Sequence, residues 1–158
     1  MSPNGGHNYP PGGGQRPGQG GANRPGGNWG GNQPPPPPPL DVKSAVVSGI
    51  DPKFIETAEQ FSGRMAASNT QVRNIFTAIM RLKAQEDLSV PKMLMLLPRL
   101  TYAVGRDSTL KPLKDSLGPA ISFVAQENNP QKRKELYDRF CDCCEAIIGF
   151  MPRKQQRR

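Results

Sequence analysis

The first 40 residues hold 12 Gly and 11 Pro and not one Asp or Glu, and that crowding decides how much of the chain is free to fold. Glycine gives up the most backbone entropy on ordering, and proline removes a hydrogen-bond donor. With so few apolar side chains to offset that entropy, such a segment is expected to stay disordered. The chain is therefore divided into a disordered Gly/Pro-rich tail with a polyproline linker (1–44), a folded domain (45–152) and a basic C-terminal arm (153–158). The proline run at 34–39 is expected to form a stiff polyproline II rod. It could be a plain spacer or a ligand for an aromatic-lined groove. Arg16-Pro17-Gly18 and Arg24-Pro25-Gly26 could touch RNA weakly, as Arg/Gly-rich tails do.

Beyond residue 50 the apolar residues recur at helical spacing, with little strand character. Asp51-Pro52 pairs an N-cap acceptor with a proline at the first helical position. Ile50 and Ile55 flank that start in staple positions. The stripe Phe54, Ala58, Phe61 and Met65 follows. A second helix opens at Ser68-Asn69-Thr70-Gln71 with capping-box spacing. It buries Val72, Ile75, Phe76, Ile79 and Met80, while Arg73, Asn74, Thr77 and Arg81 lie on the other side. A third starts near Val90-Pro91, buries Met93, Leu96, Leu97, Leu100, Ala103 and Val104, is kinked by Pro98 and ends at Gly105. Leu110, Leu113, Leu117, Ile121 and Val124 continue the spacing, and Gly118-Pro119 predicts a corner between two short helices. Asn129-Pro130 opens the last helix, with Leu136, Phe140, Cys143, Ile147 and Phe150 inward and Met151-Pro152 as its stop. The expectation is an all-α fold, a compact bundle of five or six short helices.

Catalytic groups are scarce. His7, the one histidine, falls in the tail, where a general base would have no fixed position. The tail glycines follow no strand and form no phosphate-cradling loop. Cys141, Cys143 and Cys144 crowd into one helical turn without a fourth partner, whereas zinc takes four ligands in separated pairs. They read as core thiols in a reducing compartment. The carboxylates, such as Asp138 and Asp142, look like solvated faces. No catalytic residue, metal site or cofactor is assigned, so the chain is not expected to be an enzyme. No apolar run reaches membrane-spanning length, and Met1 to Gly6 lack signal-peptide character. A cytoplasmic protein with no membrane partner is expected.

The net charge is +8, but it is unevenly placed. Residues 41–158 carry 19 Lys and Arg against 13 Asp and Glu, and four of those cations fall in 153–158. Faces therefore matter more than the total. Lys92, Arg99 and Arg106 recur every seven residues along the third helix, with Tyr102 between the two arginines. Arginine can hold phosphate in a bidentate grip, and an aromatic ring can stack on a base or sugar. The same pattern also suits an ordinary solvated face with Tyr102 at the core edge.

Three segments resemble a known family. Ser68 to Phe76 is similar to the TxSQxR opening in the small subunit of type III-A CRISPR effector (Csm) complexes. Leu97-Pro98-Arg99-Leu100-Thr101-Tyr102-Ala103-Val104-Gly105-Arg106 looks like that family's kPklaYaaGR signature. Phe140 to Phe150 resembles its closing helix, F-x-x-x-x-EAIvaY. The three occur in order across residues 51–151. Thr70 stands where the family has serine, Phe150 where it tends to have tyrosine, and the Gly/Pro tail lies outside the pattern.

The resemblance implies a compact helical subunit without enzymatic activity that lines the guide RNA–target RNA duplex and supports antiviral defence. Its implied partners are the guide (crRNA) and target RNA backbone, the repeating backbone subunit, the large subunit and neighbouring copies of itself. It makes Arg73, Arg99 and Arg106 backbone contacts beside Tyr102, with Lys92 and Arg64 as further candidates. Gln71 could serve RNA or cap its helix, and Glu145 fits a structural or subunit contact. A subunit serving any guide must bind without base readout, through phosphate and ribose. The alternative is a protein–protein assembly module with no direct RNA contact.

Overall fold

A computed structural model describes Gly5 and residues 34–86 and 88–153; the expectations for the rest of the tail and for the end of the basic arm lie outside these residues. The described residues form helices and no strand: α1 (Val42–Ser48), α2 (Pro52–Arg64), α3 (Asn69–Lys83), α4 (Val90–Leu94), α5 (Leu96–Arg106), α6 (Lys111–Ala125) and α7 (Pro130–Gly149), with a 3-10 turn at Ser108–Leu110. Only Met95 separates α4 from α5, so the pair amounts to one broken helix. The all-α architecture is as the periodicity predicts.

The capping residues act as their chemistry dictates. Asp51 Oδ1 accepts from the Phe54 amide at 2.7 Å, and Asn129 Oδ1 accepts from Gln131 and Lys132 at 3.0 and 3.2 Å. Each satisfies donors that the first helical turn leaves without a carbonyl. Ser68 Oγ takes the Gln71 amide at 3.3 Å. The reciprocal half of that capping box is absent, because Gln71 Oε1 is buried without a partner. Ile50 and Ile55 stay more than a third exposed, so their staple is not buried.

α7 is the hub, packing against α1, α2, α3 and α6. Its side chains Phe140, Cys141, Cys143, Cys144 and Ile147 have no solvent exposure. Two buried polar bonds fix its neighbours: Tyr137 Oη donates to the Ile79 carbonyl of α3 at 2.7 Å, and Ser62 Oγ of α2 donates to the Ile147 carbonyl at 2.9 Å. Asn69 Nδ2 donates to the Pro152 carbonyl at 2.7 Å, which ties the end of the chain to the start of α3.

Four features differ from the sequence reading. First, the folded body begins before residue 45. Leu40 is buried, its amide donates to Ser116 Oγ at 2.7 Å, and α1 follows directly, capped by Asp41 and with Val42 and Val46 buried. The proline run is part of this packing rather than a free spacer, since Pro37 is buried and Arg64 Nη2 donates to the Pro35 carbonyl at 3.4 Å.

Second, Gly118-Pro119 makes no corner: α6 runs unbroken through Pro119. Pro119 is exposed, while Leu117, Ala120, Ile121 and Val124 are fully buried around it. Burial on that face outweighs the one ladder hydrogen bond that proline removes. Third, Pro98 interrupts its helix one turn upstream. The ring would clash with the carbonyl of Leu94, and the helix breaks at Met95. Pro98 itself then falls in the first turn of α5, where a missing amide costs little. Fourth, Gly105 does not end α5, which continues to Arg106 before Asp107 caps the 3-10 turn. At Gly49, by contrast, the backbone needs glycine. Its φ of +94° turns the chain out of α1, a conformation costly for residues with a Cβ.

Candidate nucleic-acid interface

α5 lies against α3 and α6 at the edge of the bundle and buries only Leu96 and Leu100 fully. The Pro98 break leaves this short helix standing beside α3 with its long polar side chains outside. Between the two helices is a depression of about 400 Å³. Its apolar lining is Ile75, Ala103 and Leu110, and its polar lining is Gln71, Asn74, Arg99, Tyr102 and Arg106. A second depression of about 290 Å³ continues along α3 toward α4, lined by Ala78, Arg81, Leu82, Gln85, Lys92, Met95, Leu96 and Arg99. Arg99 belongs to both.

Among the described residues the two depressions together carry four cations (Arg81, Lys92, Arg99 and Arg106), three amides (Gln71, Asn74 and Gln85) and no carboxylate. Tyr102 stands 68% exposed. The Arg106 guanidinium lies 6.0 Å from its ring centroid, the separation at which a cation begins to feel the ring face. Lys92 Nζ donates to Gln85 Oε1 at 3.3 Å, bridging α4 to the end of α3. Among the described residues neither Arg99 nor Arg106 is in an ion pair.

The stripe read from the third helix thus comes together: Arg99, Tyr102 and Arg106 share one depression, and Lys92 joins through Arg99. Arg73 does not. It projects from another side of α3 into a third concavity of about 260 Å³, with Asn69, Ile148, Gly149, Met151 and Arg153. Arg64 lies apart from both, against the proline segment. The sequence reading placed Asn74 and Arg81 on the same outer side of the helix as Arg73 and did not single out Gln85. The available signal was the spacing of Gln71, Asn74, Ala78, Arg81 and Gln85, alternately three and four apart, which marks one face of a helix.

The cysteines sit elsewhere. Burial pushes the Cys141 and Cys143 thiols up to about 12 and Cys144 well above its ordinary value of 9.0. They are neutral apolar fillers around α7 at neutral pH. Among the described residues no three His, Cys, Asp or Glu side chains are grouped to hold a metal ion, and no helix is long and apolar enough to cross a membrane.

Fold and site together define a small all-α module with an elongated face lined by Arg81, Lys92, Arg99 and Arg106. The family model described as Csm2 Type III-A matches residues 51–155. The chain belongs to that family, and is thereby a subunit of a type III-A CRISPR effector complex. No curated protein and no solved structure matches it.

Proposed function

We propose that the face between α3 and α4–α5 grips an RNA backbone without reading its sequence, and that the protein holds guide and target RNA while other subunits do the chemistry. The observation that carries this is the lining: four cations and three amides in a row, with no carboxylate among the described residues to repel phosphate. Guanidinium groups meet phosphate oxygens bidentately, the amides donate to ribose or phosphate, and Tyr102 offers a face for stacking. All of these side chains can be used on phosphate, ribose and stacking alone, as a subunit serving many guides requires. Among the described residues the lining also holds no carboxylate or imidazole that could act as a general base, which supports a non-catalytic role. In a cytoplasmic complex the remaining surface is left for the repeating backbone subunit, the large subunit and neighbouring copies.

The test is the double variant Arg99→Ala/Arg106→Ala. Both side chains are exposed, so the thermal melt should be unchanged. Binding of labelled single-stranded RNA should weaken alike for unrelated sequences, and the slope of log affinity against log salt should flatten by about 0.7 per lost contact. A folded double variant with unchanged affinity and slope refutes the groove assignment and favours the assembly-module reading.

A further inference from the structure

α1 and the proline segment before it are a separable piece of the fold. They precede residues 51–155, which the family model matches, so their packing is an addition to the family domain. The main partners of α1 are α6 and α7, far along the chain, and not its neighbour α2. The Leu40 amide donates to Ser116 Oγ of α6, and Arg139 Nη1 of α7 donates to the Val46 and Val47 carbonyls at 3.3 and 3.5 Å. Lys43 Nζ lies 5.5 Å from the Phe123 ring centroid. Between α1 and α2 stand only Gly49, Ile50 and Asp51. Gly49 makes the turn with its φ of +94°. Pro52 keeps Asp51 in the extended region, since the helical conformation is disfavoured before proline. This joint therefore opens as an extended segment and not by fusing the two helices. Among the described residues, half of the large apolar side chains left exposed, Val47, Ile50 and Ile55, stand at the joint.

We propose that two copies of this chain exchange residues 34–48. Each α1 then lies on α6 and α7 of the other copy, and the two joints cross with Val47, Ile50 and Ile55 packed against the same residues of the second chain. Every contact of α1 is remade in the exchanged pair, so only the joint distinguishes it from the closed chain. A two-fold exchange sets one patch against its own copy. An apolar patch centred on the joint fits that arrangement, because three side chains that face water in the closed chain become covered in the pair. The balance between the two forms rests on the backbone of Gly49 and the burial of these three side chains. The α3/α5 groove shares no residue with the exchanged segment, so the inference stands apart from the RNA reading.

The experiment uses the full chain, freed of nucleic acid by nuclease and high salt so that RNA cannot bridge copies. Sedimentation should show a concentration-dependent equilibrium between monomer and dimer. A Cβ at Gly49 would meet nothing within 4 Å, so Gly49→Ala disfavours the closed turn through backbone conformation alone. At about tenfold per joint, two joints should tighten the dimer about a hundredfold. Ile50→Ser/Ile55→Ser changes two exposed side chains and should loosen the dimer without lowering the melt of the monomer. Exchange itself is read by mixing a tagged Lys43→Cys chain with an untagged Phe123→Cys chain and adding a short bismaleimide. The three native cysteines are buried and stay unlabelled. A covalent pair of tagged and untagged chains, absent when either introduced cysteine is omitted, is the expected result. A dimer that yields no such link is held by another surface and overturns the proposal. A folded Gly49→Ala chain no more dimeric than wild type overturns it as well. If Gly49→Ala fails to fold, the link formed on the native joint decides.

Discussion

The three buried thiols make stability fall at alkaline pH, by an amount that the structure sets. Cys141, Cys143 and Cys144 are fully shielded from solvent, and burial raises each thiol above its ordinary 9.0, Cys141 and Cys143 to about 12. A thiol whose pKa is higher folded than unfolded binds its proton more tightly in the native state. Its contribution is fully present below pH 9 and is lost as pH rises from 9 toward 12. Taken together, the three groups remove about 4 kcal/mol between pH 8 and pH 10, as the unfolded thiols ionise and the buried ones do not. That is a large part of a typical 5–15 kcal/mol stability. At about 4 °C per kcal/mol for a domain of this size it is a fall of about 15 °C in Tm. Melting followed by circular dichroism across this range under reducing conditions measures it directly. Cys144→Ala leaves a cavity and melts lower at pH 8, but its melting temperature should then fall only about two thirds as far by pH 10. A Tm that is flat from pH 8 to 10, or a C144A profile parallel to the wild type, refutes the reasoning.

Two further outcomes test the packing. Tyr137→Phe removes the hydroxyl that ties α7 to the Ile79 carbonyl and should cost about 1 kcal/mol, read in urea titration; a variant as stable as wild type shows that bond to be neutral. Leu40→Ala should cost about 2–4 kcal/mol if the folded body begins at the proline segment, since Leu40 is buried in its core, and should cost nothing if residues before 45 are only a tail.

The helix starts were legible because capping is local chemistry. Asp51, Ser68 and Asn129 each accept the amides that their positions predict. The inward stripes were legible for the same reason, since periodicity needs no knowledge of the partner. α1 was not. Seven residues between a proline run and a glycine carry too little local signal, and Val42 and Val46 form a helix face only because α6 and α7 lie beneath them. Pro119 misled because its local effect is real, while the burial of Leu117 and Ile121 that overrides it is tertiary. At the candidate site the stripe on α5 could be read, being confined to one helix. The share of Gln71, Asn74 and Arg81, and the exclusion of Arg73, depend on which face of α3 meets α5. That choice is made by the whole bundle.

The position of the hub after every helix it packs against has a consequence for how the protein is made. α7 is the common partner of α1, α2, α3 and α6, yet a ribosome releases it after all of them. Until its 20 residues emerge, α1, α2, α3 and α6 each expose the stripe meant for it, and α1 must wait for both α6 and α7. Domains rich in such distant pairings fold more slowly than those built from local ones, and chains arrested during synthesis are prone to aggregate through the surface they expose. The four helices that pack on α7 thus complete their burial only when it joins them.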